Sequence, residues 1–407
     1  MAITKGPLSG VRIIDMTQAH AGPFGTMLLS DLGAEIIKLE SPTGDLIRFG
    51  DPKVNIFNYY VLSLNRNKRS ISLDLQGKLG KQAFYDLVKI SDVVISNFRA
   101  DVPRRQGSDF VTLKKINPQI IRCNITGYGE TGPYTNYPAF DIIACGHSGI
   151  LSISGDPKTN TPVIPGGIAL ADMMGGIYAA MSIIASLINR DRDGKGVKAD
   201  VNLLDSLIFM QKVLFQNYFL GGNAPTLQGG RHIMLPTYGI FETKDGFITL
   251  SPPTGNFEML ELVGLGWMKD DPKYNNVINI FINNKEFTIL LEEALRKKTT
   301  DEWLKILRDE NDIPSGPVLY YSQVVNDPQV IHNDVIKEME IKGEKYKTIG
   351  SIFNIHDSIE GEPETAPDLG EHTEDILKNL LSYSDDLIKE IMAETEAAIP
   401  RMAARVL

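Results

Sequence analysis

The first 130 residues alternate short apolar runs, rich in β-branched side chains, with segments of helical pattern. Strands that alternate with helices are typical of βαβ units, in which parallel strands are joined by helices that cover the sheet. We predict the two connecting helices at about 22–32 and 77–90. The strands are predicted at 11–15, 35–39, 69–74, 93–96 and 120–125. The pattern therefore predicts an α/β fold with a doubly wound, parallel sheet.

At 407 residues the chain exceeds the roughly 250 to 300 residues that one hydrophobic core supports, so we expect two domains. We predict a large domain of 1–220 and 326–407, with a smaller α+β domain of 221–325 inserted into it. Its hairpin should turn at 244–246, where Lys-Asp-Gly is a strong turn signal. The other predicted elements are a strand at 196–202, a helix through Phe219, helices within 256–312, strands within 314–321 and 337–355, and helices within 372–404.

Charge and cysteine content narrow the class of protein. A net charge of -10 argues against a nucleic acid partner, because that affinity depends on a basic surface. Two cysteines in a chain of this length form no disulfide framework, which favours a reducing compartment, and the N-terminal residues lack the apolar run of a signal peptide. We therefore expect a cytoplasmic protein. The six histidines show no i,i+4 pair and no clustering with cysteine, so no metal site is predicted.

One apolar run, from Ile164 to Ile188, contains a single charged residue, Asp172. The run is long enough for a membrane span, but its proline, its four glycines and its one carboxylate favour a buried helix. Asp172 is interpreted as the N-cap of a helix that begins at Met173. This is compatible with a second interpretation, in which Asp172 is a nucleophile that the helix dipole keeps ionised. Gly175 and Gly176 leave room one turn later, for a pantetheine arm or for close helix packing.

A glycine pattern at 127–132 also satisfies G-x-G-x-x-G after a predicted strand. In a dinucleotide-binding fold this pattern opens a helix, whose N-terminus holds the pyrophosphate. Here Pro133 and Pro138 follow, so no such helix can begin there. Binding of NAD is therefore not predicted.

Several ordered motifs together resemble the class III CoA-transferases, which include formyl-CoA and carnitine CoA-transferases. The resemblance extends over nearly the whole chain and is carried by the segments around Asp172 and at 8–15, 21–23, 32–40, 67–70, 96–98, 127–133, 245–246 and 369–373. It implies a Rossmann-like large domain, a smaller domain, and two subunits interlocked as a homodimer. It also implies that coenzyme A thioesters are substrates, with no permanently bound cofactor.

The catalytic aspartate of the family corresponds to Asp172. The resemblance implies that this carboxylate attacks an acyl-CoA to form a mixed anhydride, and that the CoA thiolate then converts the anhydride to an aspartyl-CoA thioester. A carboxylic acid acceptor runs the same steps in reverse. The CoA contacts that the family implies are His20, Ala21, Ser41, Leu73, Asn97, Phe98, Arg99 and Arg105.

Departures from the family pattern bear on the substrate. Among the implied CoA contacts, Arg99 and Arg105 are candidates to bind the CoA phosphates, although Arg99 equally fits a solvated basic turn. His20 stands where formyl-CoA transferases have Gln, so a His N–H either replaces that amide donor or lines the pocket. The aromatic residue of their oxalate pocket corresponds to Gly50, which argues against oxalate and formate. Their glycine-rich loop is matched only loosely, by Gln228–Arg231.

An α-methylacyl-CoA racemase is the main alternative, because related racemases use a His and an Asp as two opposed bases. In this chain Phe140 occupies the position of that His, and a phenyl ring cannot accept a proton. Asp141 beside it is a possible replacement base, and both residues are assigned to the substrate pocket. A non-catalytic CoA-binding protein is the second alternative. The sequence therefore predicts CoA transfer between carboxylic acids.

Overall fold

The computed structural model describes residues 5–48, 59–164, 167–232, 235–341, 343–355, 357–359, 361 and 364–403. The chain divides into two compact units. Unit 1 comprises 1–148, 167–212 and 333–407, and unit 2 comprises 149–166 and 213–332. The boundaries predicted from sequence were 220/221 and 325/326, whereas the contacts separate the units at 212/213 and 332/333. Residues 149–166 join unit 2 because they pair with one another and with the segment at 228–229.

Over the first 130 residues, strands alternate with helical segments as predicted, and the remaining elements of unit 1 follow them. The elements of unit 1 are β1 (Arg12–Asp15), α1 (Ala21–Asp31), β2 (Glu35–Glu40), α2 (Tyr59–Leu64), β3 (Arg69–Ser72), α3 (Lys78–Lys89), β4 (Val93–Ser96), α4 (Val102–Gln106), α5 (Phe110–Ile116), β5 (Ile121–Thr126), α6 (Asp141–His147), α7 (Leu170–Asp193), β8 (Lys198–Asn202), α8 (Leu203–Met210), β12 (Ile336–Ile341), β13 (Glu344–Ile349), α16 (Thr373–Asp375) and α17 (Asp385–Ala403).

Six strands of unit 1 form one parallel sheet in the order β3-β2-β1-β4-β5-β8. Ile14 lies beside Ile37 on one neighbouring strand and beside Val94 on the other. These side chains are fully buried, as expected for a parallel sheet that helices cover on both faces. The α/β class and the parallel central sheet are therefore confirmed. The loops that follow β1, β2, β3 and β4 leave the sheet at its carboxyl edge, where ligands bind in open α/β sheets.

Helix α7 packs closely on α1 through two glycines. A Cβ atom on Gly176 would lie 2.5 Å from the Ala21 carbonyl oxygen, and one on Gly25 would lie 2.7 Å from the Gly176 oxygen. A Cβ on Gly175 would lie 2.7 Å from Cδ2 of Leu203. Gly175 and Gly176 therefore serve close packing within unit 1, and the space that we considered for a pantetheine arm is filled.

The exposed side of α7 is apolar as well. The helix is long and apolar enough to cross a membrane. Of its most apolar stretch of 18 residues, 44% is buried within the protein. Met181 and Ile188 are more than half exposed on it. The buried helix predicted from sequence is thus buried on one face only.

Unit 2 has its own core, built on Phe241, Ile248, Phe287, Trp303 and Leu307. Its strands β9 and β10 form the predicted hairpin, in which the Thr243 N–H donates to the Gly246 carbonyl. The elements are β6 (Gly155–Asp156), β7 (Thr161–Pro162), α9 (Lys212–Phe219, all but Lys212), β9 (Gly239–Glu242), β10 (Phe247–Leu250), α10 (Phe257–Leu262), α11 (Val277–Ile282), α12 (Asn284–Leu295), α13 (Thr300–Leu304), β11 (Ser315–Pro317), α14 (Tyr321–Val324) and α15 (Pro328–His332).

Candidate active site

Asp172 lies in the first turn of α7, but it is not the helix cap. The helix begins at Leu170, and the N-cap residue is Ala169, which has no side-chain acceptor. Asp172 is therefore the third helical residue, and the interpretation of Asp172 as the N-cap of a helix from Met173 was wrong. The acceptor comes from another element, because Oδ1 of Asp141 receives the backbone N–H groups of Ala171 at 2.6 Å and of Asp172 at 3.2 Å.

The protonation of Asp172 also differs from the expectation. Burial, and after it the negative charge of Asp141, raise the pKa of Asp172 to about 7. We expected the helix dipole to keep this carboxyl ionised, whereas burial and Asp141 oppose its ionisation. The dipole contribution is small, and here the first-turn N–H groups already interact with a second carboxylate. A carboxyl group with this pKa is a stronger nucleophile when ionised than an ordinary aspartate, and it ionises near neutral pH.

Asp141 is the first residue of α6, directly after the assigned pocket residue Phe140. The Phe140 side chain is 66% exposed, and it offers no proton acceptor. The second oxygen of Asp141, Oδ2, lies 3.9 Å from the thiol of Cys145 one turn later. Both oxygens of Asp141 thus have donors, which leaves this carboxylate poorly suited to act as a free base.

His20 occupies the N-cap position of α1, after Ala19 in a left-handed conformation with φ of 60°. The pKa of His20 is lowered by burial, which outweighs the attraction of Asp141. The imidazole is therefore neutral near pH 7. Its buried Nδ1 has no hydrogen-bond partner among the described residues. The geometry places a neutral imidazole with an unused nitrogen on the helix that packs against α7.

Polar side chains, among them the buried Lys38 and Asp45, hold the loop between β1 and α1. The side-chain amide of Asn97 accepts the Gln18 N–H at 2.8 Å and donates to the Gln18 carbonyl at 2.7 Å. The Ala19 N–H donates to Asp45 at 3.0 Å, and the Asp45 carboxylate pairs with the ammonium of Lys38 at 3.2 Å. Asn97, predicted as a CoA contact, therefore has its amide committed to the loop that ends at His20.

Lys38 and Asp45 were missed by the sequence reasoning. Lys38 is fully buried in β2, where its ammonium also donates to the Thr17 carbonyl at 2.6 Å. The sequence could have indicated this ion pair. Lys38 is a charged residue inside a predicted central strand, and such a residue must find a partner when the strand is covered on both faces.

Three of the predicted CoA contacts lie together. Ser41, Leu73 and Phe98, which follow β2, β3 and β4, line a cavity of about 90 Å³. Gln106 also lines this cavity, and its buried Oε1 finds no donor among the described residues. The carboxyl ends of neighbouring parallel strands converge here, which is the reason for the grouping.

The remaining predicted contacts are spread around this edge. Ala21 is buried in the first turn of α1, and Arg99 is exposed after β4. Arg105 is exposed and pairs with Asp101 at 3.1 Å, so an anion would have to compete with that weak ion pair. A larger cavity of about 460 Å³, which the sequence did not indicate, is lined by charged residues that include Arg104, Arg122 and Lys198.

Other sequence assignments are limited by what the structure describes. No group of three His, Cys, Asp or Glu side chains in the described ranges is arranged to hold a metal ion, and the absence of a metal stays a prediction. Gly50 lies outside the described residues, so the argument against oxalate and formate also stays a prediction. The segment Gln228–Arg231 belongs to unit 2, where Arg231 pairs with Glu292 at 2.6 Å.

The structure is an α/β protein with a parallel, doubly wound sheet, and it places a candidate aspartate nucleophile, Asp172, in the first turn of a long helix. Residues 8–373 match the model of CoA-transferase family III. The chain belongs to this family and is a CoA-transferase.

Known relatives agree with this assignment. The chain is 35% identical over 399 residues to the succinyl-CoA:glutarate CoA-transferase of Homo sapiens, with 95% of this chain and 89% of that protein covered. It is 34% identical over 336 residues to the acetyl-CoA:oxalate CoA-transferase of Acetobacter aceti, with 82% of this chain and 86% of that protein covered. A crystal structure of a CaiB/BaiF family protein from Brucella suis superposes with a TM-score of 0.81 at 30% identity, covering 92% of this chain and all of that one.

Proposed function

We propose that this CoA-transferase works through covalent intermediates on Asp172. The observation that carries the proposal is the Asp172 carboxyl at the start of α7, whose pKa is raised to about 7 by burial and by Asp141. The ionised form is available near neutral pH, and it is more basic than an ordinary carboxylate. A nucleophile of this kind splits an exchange between two unreactive acids into steps between activated acyl groups.

The steps balance without an added cofactor. An oxygen of the Asp172 carboxylate bonds to the acyl carbon of the donor thioester, the C–S bond breaks, and CoA leaves as the thiolate. The thiolate then attacks the aspartyl carbonyl carbon, the anhydride C–O bond breaks, and the donor acid leaves as a carboxylate. The acceptor carboxylate attacks the aspartyl-CoA thioester, and the reverse sequence regenerates Asp172. We propose that His20, as a neutral imidazole, donates a hydrogen bond to the developing oxyanion.

The donor and acceptor are proposed from the relatives. Two of them, including the human protein, are named succinyl-CoA:glutarate CoA-transferases, so we assign succinyl-CoA as donor and a dicarboxylic acid of similar length as acceptor. A panel of acyl-CoA donors with free acids, analysed by mass spectrometry, tests the assignment. Turnover with monocarboxylic acids alone would contradict it.

Two observations disfavour a racemase. A racemase needs two bases that can exchange an α-proton, and Phe140 occupies the position of one of them. Asp141 accepts two backbone N–H groups on Oδ1 and the Cys145 thiol on Oδ2, so each of its oxygens already has a donor. Besides Asp172, the neutral imidazole of His20 can accept a proton here, so exchange of the α-proton has to be measured to separate the two reactions.

Trapping experiments test the mechanism. After addition of an acyl-CoA, hydroxylamine should convert Asp172 to a hydroxamate and borohydride should reduce its thioester, and peptide mass spectrometry locates either product. The variant Asp172→Asn should show neither product and should lose transfer activity. Exchange of the α-proton into solvent with an unmodified Asp172 would instead support a racemase, and binding of CoA without either reaction would support a non-catalytic protein.

The exposed apolar face of α7 supports a homodimer. Met181 and Ile188 on α7 and Phe209 on α8 are each 58% to 67% exposed, and Phe209 contacts Tyr178 on the same face. Adjacent large apolar side chains of this kind mark contact surfaces. A second copy of this chain is the occupant that the family resemblance implies. Ile188→Glu should give monomers by sedimentation or light scattering, and a dimer that persists in this variant would contradict the assignment of this face.

A further inference from the structure

Asp141 joins two elements that meet at the nucleophile. It is the first residue of α6, and its Oδ1 accepts N–H groups from the second and third residues of α7. The N-cap residue of α7, Ala169, offers no side-chain acceptor. The backbone that carries Asp172 is thus capped by a residue 31 positions earlier in the chain.

We propose that Asp141 is a positioning residue for Asp172, which fixes the first turn of α7 and supplies a negative charge that favours the covalent forms of the nucleophile. The inference rests on the proposed covalent function of Asp172. In the transfer reaction Asp141 then acts through Asp172. It neither accepts a proton from the substrate nor binds it.

The charge matters because it acts on only one state of Asp172. Free Asp172 is negative when ionised and is repelled by Asp141, whereas the mixed anhydride and the aspartyl-CoA thioester are both neutral. Acylation therefore relieves the repulsion, and the equilibrium between free and acylated enzyme moves toward the acylated forms. The cap acts separately, because a helix start that lacks an acceptor frays and would let the nucleophile leave its attacking position.

Two other titratable groups of α1 and α6, His20 and Cys145, are uncharged near pH 7. Burial raises the pKa of the Cys145 thiol, on α6, to about 11. Burial lowers the pKa of His20, at the start of α1. Asp141 is the neighbour whose negative charge raises the pKa of Asp172, after burial.

Two variants separate the charge from the cap. Asp141→Asn removes the charge and keeps an oxygen that can accept both N–H groups, whereas Asp141→Ala removes both functions. Asp245→Asn is the matched control, because Asp245 accepts the Thr300 N–H at the start of α13 at 2.8 Å, in unit 2. Each full-length protein is mixed with succinyl-CoA, and the rate of CoA release and the fraction of trapped Asp172 adduct are measured against pH.

Asp141→Asn should lower the pH at half-maximal CoA release by about one pH unit or more, and should reduce the trapped adduct fraction at equilibrium about tenfold. Asp141→Ala should show the same pH change with a further loss of about tenfold in rate, because the cap is also absent. Asp245→Asn should match the wild type in both measurements. An Asp141→Asn enzyme with the wild-type pH midpoint and adduct fraction would overturn the inference, as would an Asp141→Ala enzyme with the wild-type rate.

Failure of the covalent function is recognised separately. If wild-type protein forms no adduct on Asp172, the proposed mechanism fails, and the charge effect is then measured without turnover. The difference in unfolding free energy between wild type and Asp172→Asn, measured against pH, gives the pH at which ionisation of Asp172 destabilises the fold. The same comparison in proteins that also carry Asp141→Asn should give a lower pH. An unchanged pH there would overturn the role of the Asp141 charge.

Discussion

Replacing Asp172 by Asn should change how the stability of the protein depends on pH. The pKa of Asp172 rises from the ordinary 3.8 to about 7 on folding, first through burial and then through Asp141. A group whose pKa is raised in the folded state favours folding while it is protonated, and this contribution is lost as pH rises toward the folded pKa. Wild-type protein should therefore lose stability between about pH 4 and pH 7 relative to Asp172→Asn, which cannot ionise.

The size of the effect follows from the change in pKa. At about 1.4 kcal/mol per pH unit, a rise from 3.8 to about 7 corresponds to an upper value of about 4 kcal/mol. Asp172 is only partly buried, and solvent screening reduces this to about 2 kcal/mol. We expect the two proteins to differ little in stability at pH 4, and Asp172→Asn to be more stable by about 2 kcal/mol at pH 8.

Urea unfolding at a series of pH values measures this difference without reference to activity. Asp245→Asn is a control of opposite sign, because its pKa is lowered by hydrogen bonds from Thr300 and its contribution to stability is present at neutral pH and lost in acid. The reasoning is refuted if the stability difference between wild type and Asp172→Asn is the same at pH 4 and pH 8.

Three further predictions concern the surroundings of the nucleophile. His20→Gln should retain activity within a few fold because the amide can donate, whereas His20→Ala should lower kcat about 10- to 100-fold, and equal rates would exclude an oxyanion role. Gly176→Ala should lower the free energy of unfolding by about 1–3 kcal/mol, because its Cβ would lie 2.5 Å from the Ala21 carbonyl. Gly146 on α6 is the control, because no atom lies within 4 Å of an added Cβ there. Gly146→Ala should leave the free energy of unfolding unchanged or raise it by up to about 1 kcal/mol. Equal losses of stability in both glycine variants would contradict the packing argument. Asn97→Ala should cost about 1–3 kcal/mol in urea unfolding through the two lost hydrogen bonds to the loop before α1, and a neutral result would show that the loop is held without them.

Local pattern was enough to predict the sheet. The β-branched runs around Ile14, Ile37 and Val94 have the composition of strands covered on both faces, and the structure confirms them as neighbouring parallel strands. The turn at 244–246 was also predictable, because Asp-Gly favours the backbone of a tight hairpin. Such features depend on residues that are close in sequence.

The protonation of the site was not predictable in this way. Asp172 was recognised from its isolated charge and from the family motifs, but its neighbours in sequence indicated a helix cap that stays ionised. Its actual environment depends on Asp141, which belongs to a different helix and reaches α7 only in the folded chain. The buried pair of Lys38 and Asp45, which holds the loop before His20, was missed for the same reason.

The sequence by itself thus determined the α/β class, the family and the candidate nucleophile, because each of these depends on residue types in a linear order. The tertiary structure decided which group caps α7, which helices Gly176 brings together, and at what pH Asp172 ionises. These properties depend on distance and on burial. Both are set when segments far apart in sequence pack against one another, as Asp141 and Asp172 do at the start of α7.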